Sequence, residues 1–324
     1  MQDRHHTRAL KGLDLANDFQ TIALMPDTSP ILTIDEGLQV EPPGFAAPFL
    51  LSVPQGDSVP VVFASPHSGN LYPSCMVSAL CVPLMDVRRT EDAFVDELFA
   101  SAPARGAALL VARYGRSVVD LNRDPHELDP AMFHDGPPRA CALPTPRVEA
   151  GLGCLPRVGA KGEAIYGRLL SKAEGEERLA SIHDVYHNTL TALLDARRDI
   201  HGRALLIDCH SMPSVQPGRR NLPDIVLGDR FGSSCDPRLV NRLERAFRNH
   251  GLTVARNAPY AGGYTTRRYG RPKRGVHAIQ IEINRGLYMD EQAITRSGRF
   301  ASLRPVMDSA ITEMIEAIQQ LAAR

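Results

Sequence analysis

Hydrophobic positions change their spacing along the chain, and that change is the first structural signal. From about residue 58 onward, short runs of consecutive apolar residues alternate with longer stretches in which apolar residues recur every three to four positions. The short runs predict strands at 59–65, 107–113, 117–121, 204–209, 224–228, 252–257 and 277–283. Runs such as Ala204-Leu205-Leu206-Ile207 have no polar alternation, as expected of central strands covered on both faces. The longer stretches predict helices at 90–103, 173–202, 236–251 and 302–324. The third is punctuated at both ends: Asp236 suits the cap, Pro237 the first turn, and Gly251 follows the end. Strands alternating with helices predict an α/β layered fold.

Residues 1–55 are a polar, then Pro-rich lead-in that reads as an N-terminal arm or short peripheral hairpin. No linker divides the remaining chain, so 56–324 is read as one domain. Within it, the stretch from Arg123 to about Lys161 is rich in Pro and Gly. Ordered excursions of that length in compact domains often carry function.

Composition narrows the function. Lys+Arg and Asp+Glu both number 37, giving a formal net charge of zero. That disfavours nucleic acid or an anionic membrane as partner and leaves room only for a local basic pocket. The longest apolar runs, such as 106–112, are far too short to span a bilayer, and the charged N-terminus lacks a secretory signal. Cys75, Cys81, Cys141, Cys154, Cys209 and Cys235 are scattered without a CxxC spacing, so they read as reduced thiols of a cytoplasmic protein.

The chemistry collects where predicted strands end. His67 follows 59–65 in Ser65-Pro66-His67-Ser68-Gly69, Asn122-Arg123 follows 117–121, His210 follows 204–209, and Glu282 closes 277–283. Ligands of open α/β sheets bind outside the carboxyl ends of strands, so four such ends imply one shared site. Two histidines far apart in sequence, each after a strand, suit a hydrolytic zinc centre, which takes three N or O ligands and keeps a position open. The third ligand should be a carboxylate, and Glu91, Asp92 and Asp96 are the candidates. His183 and His187 form a second pair, spaced i, i+4, but Asp184 replaces the glutamate of H-E-x-x-H, which favours packing over metal. His5-His6 read as solvated. Two arginine-rich segments, at Arg113, Arg116 and Arg123 and at Arg267, Arg268, Arg271 and Arg274, suggest an anion pocket. Gly262-Gly263 reads as a mobile loop that closes over a substrate.

The motifs SPHSG-x-x-YP, R-x-VVDLNR-x-P, D-x-HS, GGY-x-TR-x-YGRP and Q-x-E-x-N-R-x-LYMDE occur in that order. Their order resembles the N-formylglutamate amidohydrolase family, over about residues 58 to 300. The resemblance implies a distant likeness to zinc carboxypeptidases and aspartoacylases, and so a three-layer α/β/α domain with a mixed central sheet. It implies Zn2+, or another divalent metal, on His67, His210 and one acid. Those relatives use H-x-x-E, but position 70 here is Asn70. The family's pattern then favours Asp92 over Glu91. It further implies Glu282 as general base, Arg116 beside the scissile carbonyl oxygen, and Asn122 with Arg123 on the substrate's α-carboxylate. Tyr264, Thr266, Arg267 and Arg271 of the fourth motif would complete the substrate site.

The expected reaction is hydrolysis of N-formyl-L-glutamate to formate and L-glutamate, a step of histidine degradation. The partner is then a small N-acyl amino acid, and a homo-oligomer stays open. Two rivals remain: a metal-dependent deacylase of another N-acyl amino acid or small peptide, and a non-catalytic anion-binding protein of the same fold. A degenerate binder would be expected to have lost one of His67, His210 and Glu282; all three are present.

Overall fold

The computed structural model describes residues 32–34, 38–41, 47–218 and 221–321. Its centre is a mixed sheet of seven strands. In chain order these are β1 (Phe49–Ser52), β2 (Val61–Ser65), β3 (Ala108–Ala112), β4 (Ala204–Met212), β5 (Ile225–Gly228), β6 (Val254–Arg256) and β7 (Val276–Asn284). Across the sheet they stand in the order β1-β3-β2-β4-β7-β5-β6. The central four, β3, β2, β4 and β7, run parallel. β1 pairs antiparallel with β3, and β5 antiparallel with β7 and parallel with β6. Every residue of β2 and β4 is buried, which is why the runs 61–64 and 204–207 are apolar without alternation. Edge strand β1 instead alternates half-buried and exposed positions.

Helices close both faces. The two-residue period of β2 sends Val61 and Phe63 to one face and Val62 and Ala64 to the other. On the first face lie α3 (Pro237–Asn249) and α5 (Phe300–Gln320). α3 buries Leu239, Val240, Leu243 and Phe247 on one stripe. Each such side chain contributes about 1.5–3 kcal/mol on leaving water. Asp236 accepts a hydrogen bond from the Arg238 amide at the start of α3, and Gly251 with φ +78° follows its end, as the punctuation predicts. On the second face, α1 (Lys172–Arg178) passes through a π-helical turn (Leu179–Asp184) into α2 (Val185–His201). Ser171 and Glu174 form a capping box at its start. The result is the expected three-layer α/β/α arrangement.

Two predicted elements differ. Residues 117–121 form no strand; Val118 N–H turns back to the Gly115 carbonyl, and Asp120 N–H donates to Cys154. Val118, Val119 and Leu121 are apolar because this turn is buried in the second core, and a short apolar run does not distinguish the two cases. Residues 90–103 hold only a four-residue helix, Val95–Leu98. Asp92 N–H donates to the His67 carbonyl, and Phe94 sits at φ +64°, so the chain before Val95 cannot be helical.

Most of 1–55, including His5-His6, lies outside the described residues. Within it Leu32–Ile34 and Leu38–Glu41 pair antiparallel, and the second of them pairs parallel with Leu71–Pro73. Among the described residues no helix is long and apolar enough to cross a membrane.

Candidate active site

The site forms at the carboxyl ends of β2, β4 and β7. His67 follows β2 by two residues, in an exit that only glycine permits at position 69. A Cβ there would stand 2.4 Å from the Arg113 carbonyl carbon, where the chain is pinned by the bond from Leu71 N–H to Arg113 O. In β4 and β7 the strand period puts Asp208 with His210, and Gln280 with Glu282, on one face. The parallel register then sets Glu282 beside His210 and Gln280 beside Asp208.

His67, Asp92 and His210 converge, each offering one ligand atom within 4.8 Å of the other two. All three are buried. Asp92 Oδ2 lies 3.0 Å from His210 Nδ1 and 3.3 Å from His67 Nδ1. The other oxygen, Oδ1, accepts from Arg285 at 3.0 Å and Ser211 at 3.2 Å. Glu91 turns the opposite way, to Tyr72 at 2.7 Å and Arg88 at 3.1 Å, and burial pushes its carboxyl up to about 7. Asp92, not Glu91, therefore lies with the histidines.

Behind the trio stand two acids. His67 Nε2 lies 2.7 Å from Asp120 Oδ1, and His210 Nε2 lies 3.1 Å from Asp208 Oδ1. Such carboxylates orient a ligating imidazole and raise its basicity. Burial opposes a charge on His210, but Asp208 and Asp92 outweigh it and lift its proton affinity well above the ordinary value. His67 Nδ1 is buried without a hydrogen-bond partner although it faces Asp92, an unusual cost for a buried polar atom. Two imidazoles and a carboxylate facing one another, one nitrogen unsatisfied, fit a divalent transition metal such as zinc.

A chain of amides holds the base candidate. Gly263 N–H donates to Gln280 Oε1 at 2.8 Å, so Gln280 Nε2 must donate to Glu282 Oε1, 2.6 Å away. Thr265 N–H likewise fixes Asn122 Oδ1 at 2.9 Å, turning Asn122 Nδ2 toward Asp208 and Gln280. Burial pushes the Glu282 carboxyl up to about 8; His210 and Arg116 pull it down and Asp92 adds to the rise. Close packing accounts for the glycine pair here. A Cβ at Gly263 would lie 2.4 Å from Asn122 Oδ1. Gly263→Ala is expected to displace Asn122 and Gln280 and to lower kcat/KM by about 100-fold with the fold retained, measured by steady-state kinetics and circular dichroism.

Above the trio opens a cleft of about 700 Å³, lined by Arg89, Arg116, Arg123, Arg147 and Arg285 among others. Arg285 pairs with Asp92, Arg116 with Asp120 at 2.8 Å, and Arg89 with Asp86 at 3.2 Å. Arg123 is fixed by the carbonyls of Leu152 and Asn122, both at 3.1 Å. The cleft thus brings together the His-Asp-His trio, a buried acid and a cationic wall.

A sequence profile described as N-formylglutamate amidohydrolase matches residues 59–289. The chain belongs to the N-formylglutamate amidohydrolase family. Curated relatives named N-formylglutamate deformylase include that of Pseudomonas aeruginosa, 33% identical over 267 residues, covering 80% of this chain and 92% of that one. That of Pseudomonas putida is 33% identical over 248 residues, covering 75% and 86%. The crystal structure of N-formylglutamate amidohydrolase from Ralstonia eutropha JMP134 superposes with a TM-score of 0.81 at 34% identity, covering 86% of this chain and all of that one. This chain is accordingly a hydrolase of an amide bond.

Within this amidohydrolase the predicted residues divide. His67, Asp92, Arg116, Asn122, Arg123, His210 and Glu282 all line the cleft. Tyr264, Thr266, Arg267 and Arg271 do not, because α4 (Tyr264–Tyr269) leads away from the cleft after Gly263. Tyr264 packs on His187, Thr266 Oγ1 donates to the Gly263 carbonyl, Arg267 faces Asp124 and Glu127, and Arg271 donates to the Arg267 carbonyl. What the fourth motif contributes is backbone: the amides of Gly263 and Thr265. Asp120, Asp208 and Gln280 went unassigned in the sequence. Asp208 and Gln280 carried a signal, since each stands two positions before an assigned residue in a strand, where that spacing means the same face; Asp120 lies in a buried turn, where it does not.

Proposed function

We propose that this amidohydrolase hydrolyses N-formyl-L-glutamate to formate and L-glutamate, with a divalent metal, zinc by the character of its donors, held on His67, Asp92 and His210. The observation that carries the reading is the buried His-Asp-His trio with Glu282 beside His210 in the strand register, on the floor of an arginine-walled cleft. The names of the Pseudomonas relatives support the substrate. When bound, the metal supplies Lewis acidity, activating water and polarising the formyl carbonyl.

The chain's own groups do the rest. Beside a cation on the neighbouring trio, Glu282 takes its ionised form in spite of the rise to about 8 that burial imposes. The carboxylate, oriented by Gln280, then takes the proton of the attacking water at its free oxygen and delivers it to the departing amine nitrogen. Arg116, held by Asp120, faces the developing negative charge on the carbonyl oxygen, a role worth roughly 3–4 kcal/mol for a well-placed donor. Arg123 offers its remaining N–H groups to a substrate carboxylate, and Arg147, in the short helix Pro146–Glu149 at the cleft wall, supplies a second cation. The reaction fits a step of histidine degradation.

The deciding experiment measures bound metal in the purified protein and formate release from N-formylglutamate against a panel of N-acyl amino acids. The expected result is a metal-loaded enzyme with the highest kcat/KM on N-formylglutamate. Preference for another member of the panel would replace the substrate, and a metal-free chain inert toward all of them would sink the reading.

A further inference from the structure

His183 and His187 have no part in this mechanism and do not line the cleft. Both are nonetheless buried, with ring centroids 4.4 Å apart, at the junction of the π-helical turn and α2. His183 Nε2 lies 3.0 Å from the carbonyl oxygen of Arg123. His187 Nε2 lies 2.9 Å from that of Leu121. A carbonyl only accepts, so each Nε2 carries the hydrogen. His187 Nδ1 is then the acceptor for the Tyr269 hydroxyl at 2.9 Å. Asp184, next to His183, is itself clamped by Arg139 at 3.0 and 2.7 Å.

The two carbonyls are those on either side of Asn122. Because 117–121 is a buried turn and not a strand, no neighbouring strand satisfies them, and a buried carbonyl needs a donor. The imidazoles reach across from the helix and fix the peptide planes 121–122 and 123–124, which bracket the Asn122-Arg123 pair. Those planes set the direction of the Asn122 amide and the start of the Arg123 side chain. Widening of a helix by a π turn is a recurrent device for aiming side chains at functional segments. We propose that His183 and His187 are positioning residues for substrate binding, which hold Asn122 and Arg123 against the cleft without touching the substrate. The proposal rests on the reading that Arg123, next to Asn122, grips a substrate carboxylate. Burial, with His183 and Arg268 nearby, lowers the proton affinity of His187, in keeping with a neutral ring that donates from one nitrogen and accepts at the other.

The test compares reach. In His183→Gln and His187→Gln the amide nitrogen stands near the original Nε2; in the Asn variants it falls short, and in the Leu variants the donor is gone. For the metal-loaded Asn and Leu variants, KM for N-formylglutamate should rise about tenfold or more while kcat stays within about threefold, and the Gln variants should recover KM to within about threefold. A purely structural role would lower the melting temperature of all three alike and leave KM unchanged. Should the Leu variants not fold, the Gln–Asn comparison decides. Wild-type KM in a folded Asn variant, or an equal rise in Gln and Asn, would overturn the proposal. Calorimetric binding of L-glutamate to the same variants separates the two readings: no turnover by the wild-type enzyme rejects the substrate assignment, whereas the Kd ranking of Gln against Asn still rules on the histidines.

Discussion

Glu282→Gln is expected to leave the metal bound and to lower kcat by about 10²–10⁴-fold, the usual worth of a positioned general base. The substitution keeps the size of the side chain and its ability to accept from Gln280 Nε2, so the β7–β4 register around His210 should be preserved. What it removes is the oxygen able to take a proton. The structure makes this change unusually clean, because Glu282 is buried and none of its oxygens bonds to the His-Asp-His trio. Metal analysis of the purified variant and single-turnover formate release check the two halves separately. A variant with full metal and kcat within about tenfold of wild type would remove Glu282 from the role.

Asp92→Asn is expected to strip the metal, weakening its binding by more than about 100-fold, the upper range for losing a supporting residue alone. Asp92 is the only acid of the trio, and its Oδ2 faces both Nδ1 atoms. The change also leaves the buried Arg285 without its carboxylate. Removing one partner of a buried ion pair costs about 3–5 kcal/mol, so the melting temperature should fall as well. Glu91→Gln is the matched control: Glu91 bonds Tyr72 and Arg88 and lies outside the trio. It should retain metal through dialysis against a chelator that empties Asp92→Asn. Retention of metal by Asp92→Asn and its loss by Glu91→Gln would exchange the two assignments.

Both variants bear on a choice that periodicity could not make. Glu91 and Asp92 are adjacent acids before a helix, and composition treats them alike. They were separated by the bond from Asp92 N–H to the His67 carbonyl and by the left-handed turn at Phe94, which aim consecutive side chains in opposite directions. The same limit applies to Arg267 and Arg271. Two cations in a glycine-flanked motif read as an anion grip, yet α4 and the turn after it take them to the surface and leave only backbone amides at the cleft.

The α/β class, the burial of the apolar runs of β2 and β4, and the presence of His67, His210 and Glu282 toward the carboxyl ends of strands were all legible along the chain. They could be read there because burial and strand period are local properties, written in which residues are apolar and how they alternate. The chain also carried the order of motifs that marks the family. That β4 and β7 lie side by side, that Asp120 stands behind His67, and that His183 and His187 reach the carbonyls flanking Asn122 came only with the folded arrangement. These contacts join residues 53 to 72 positions apart. Their energies depend on distance and direction in space, and no local pattern encodes either.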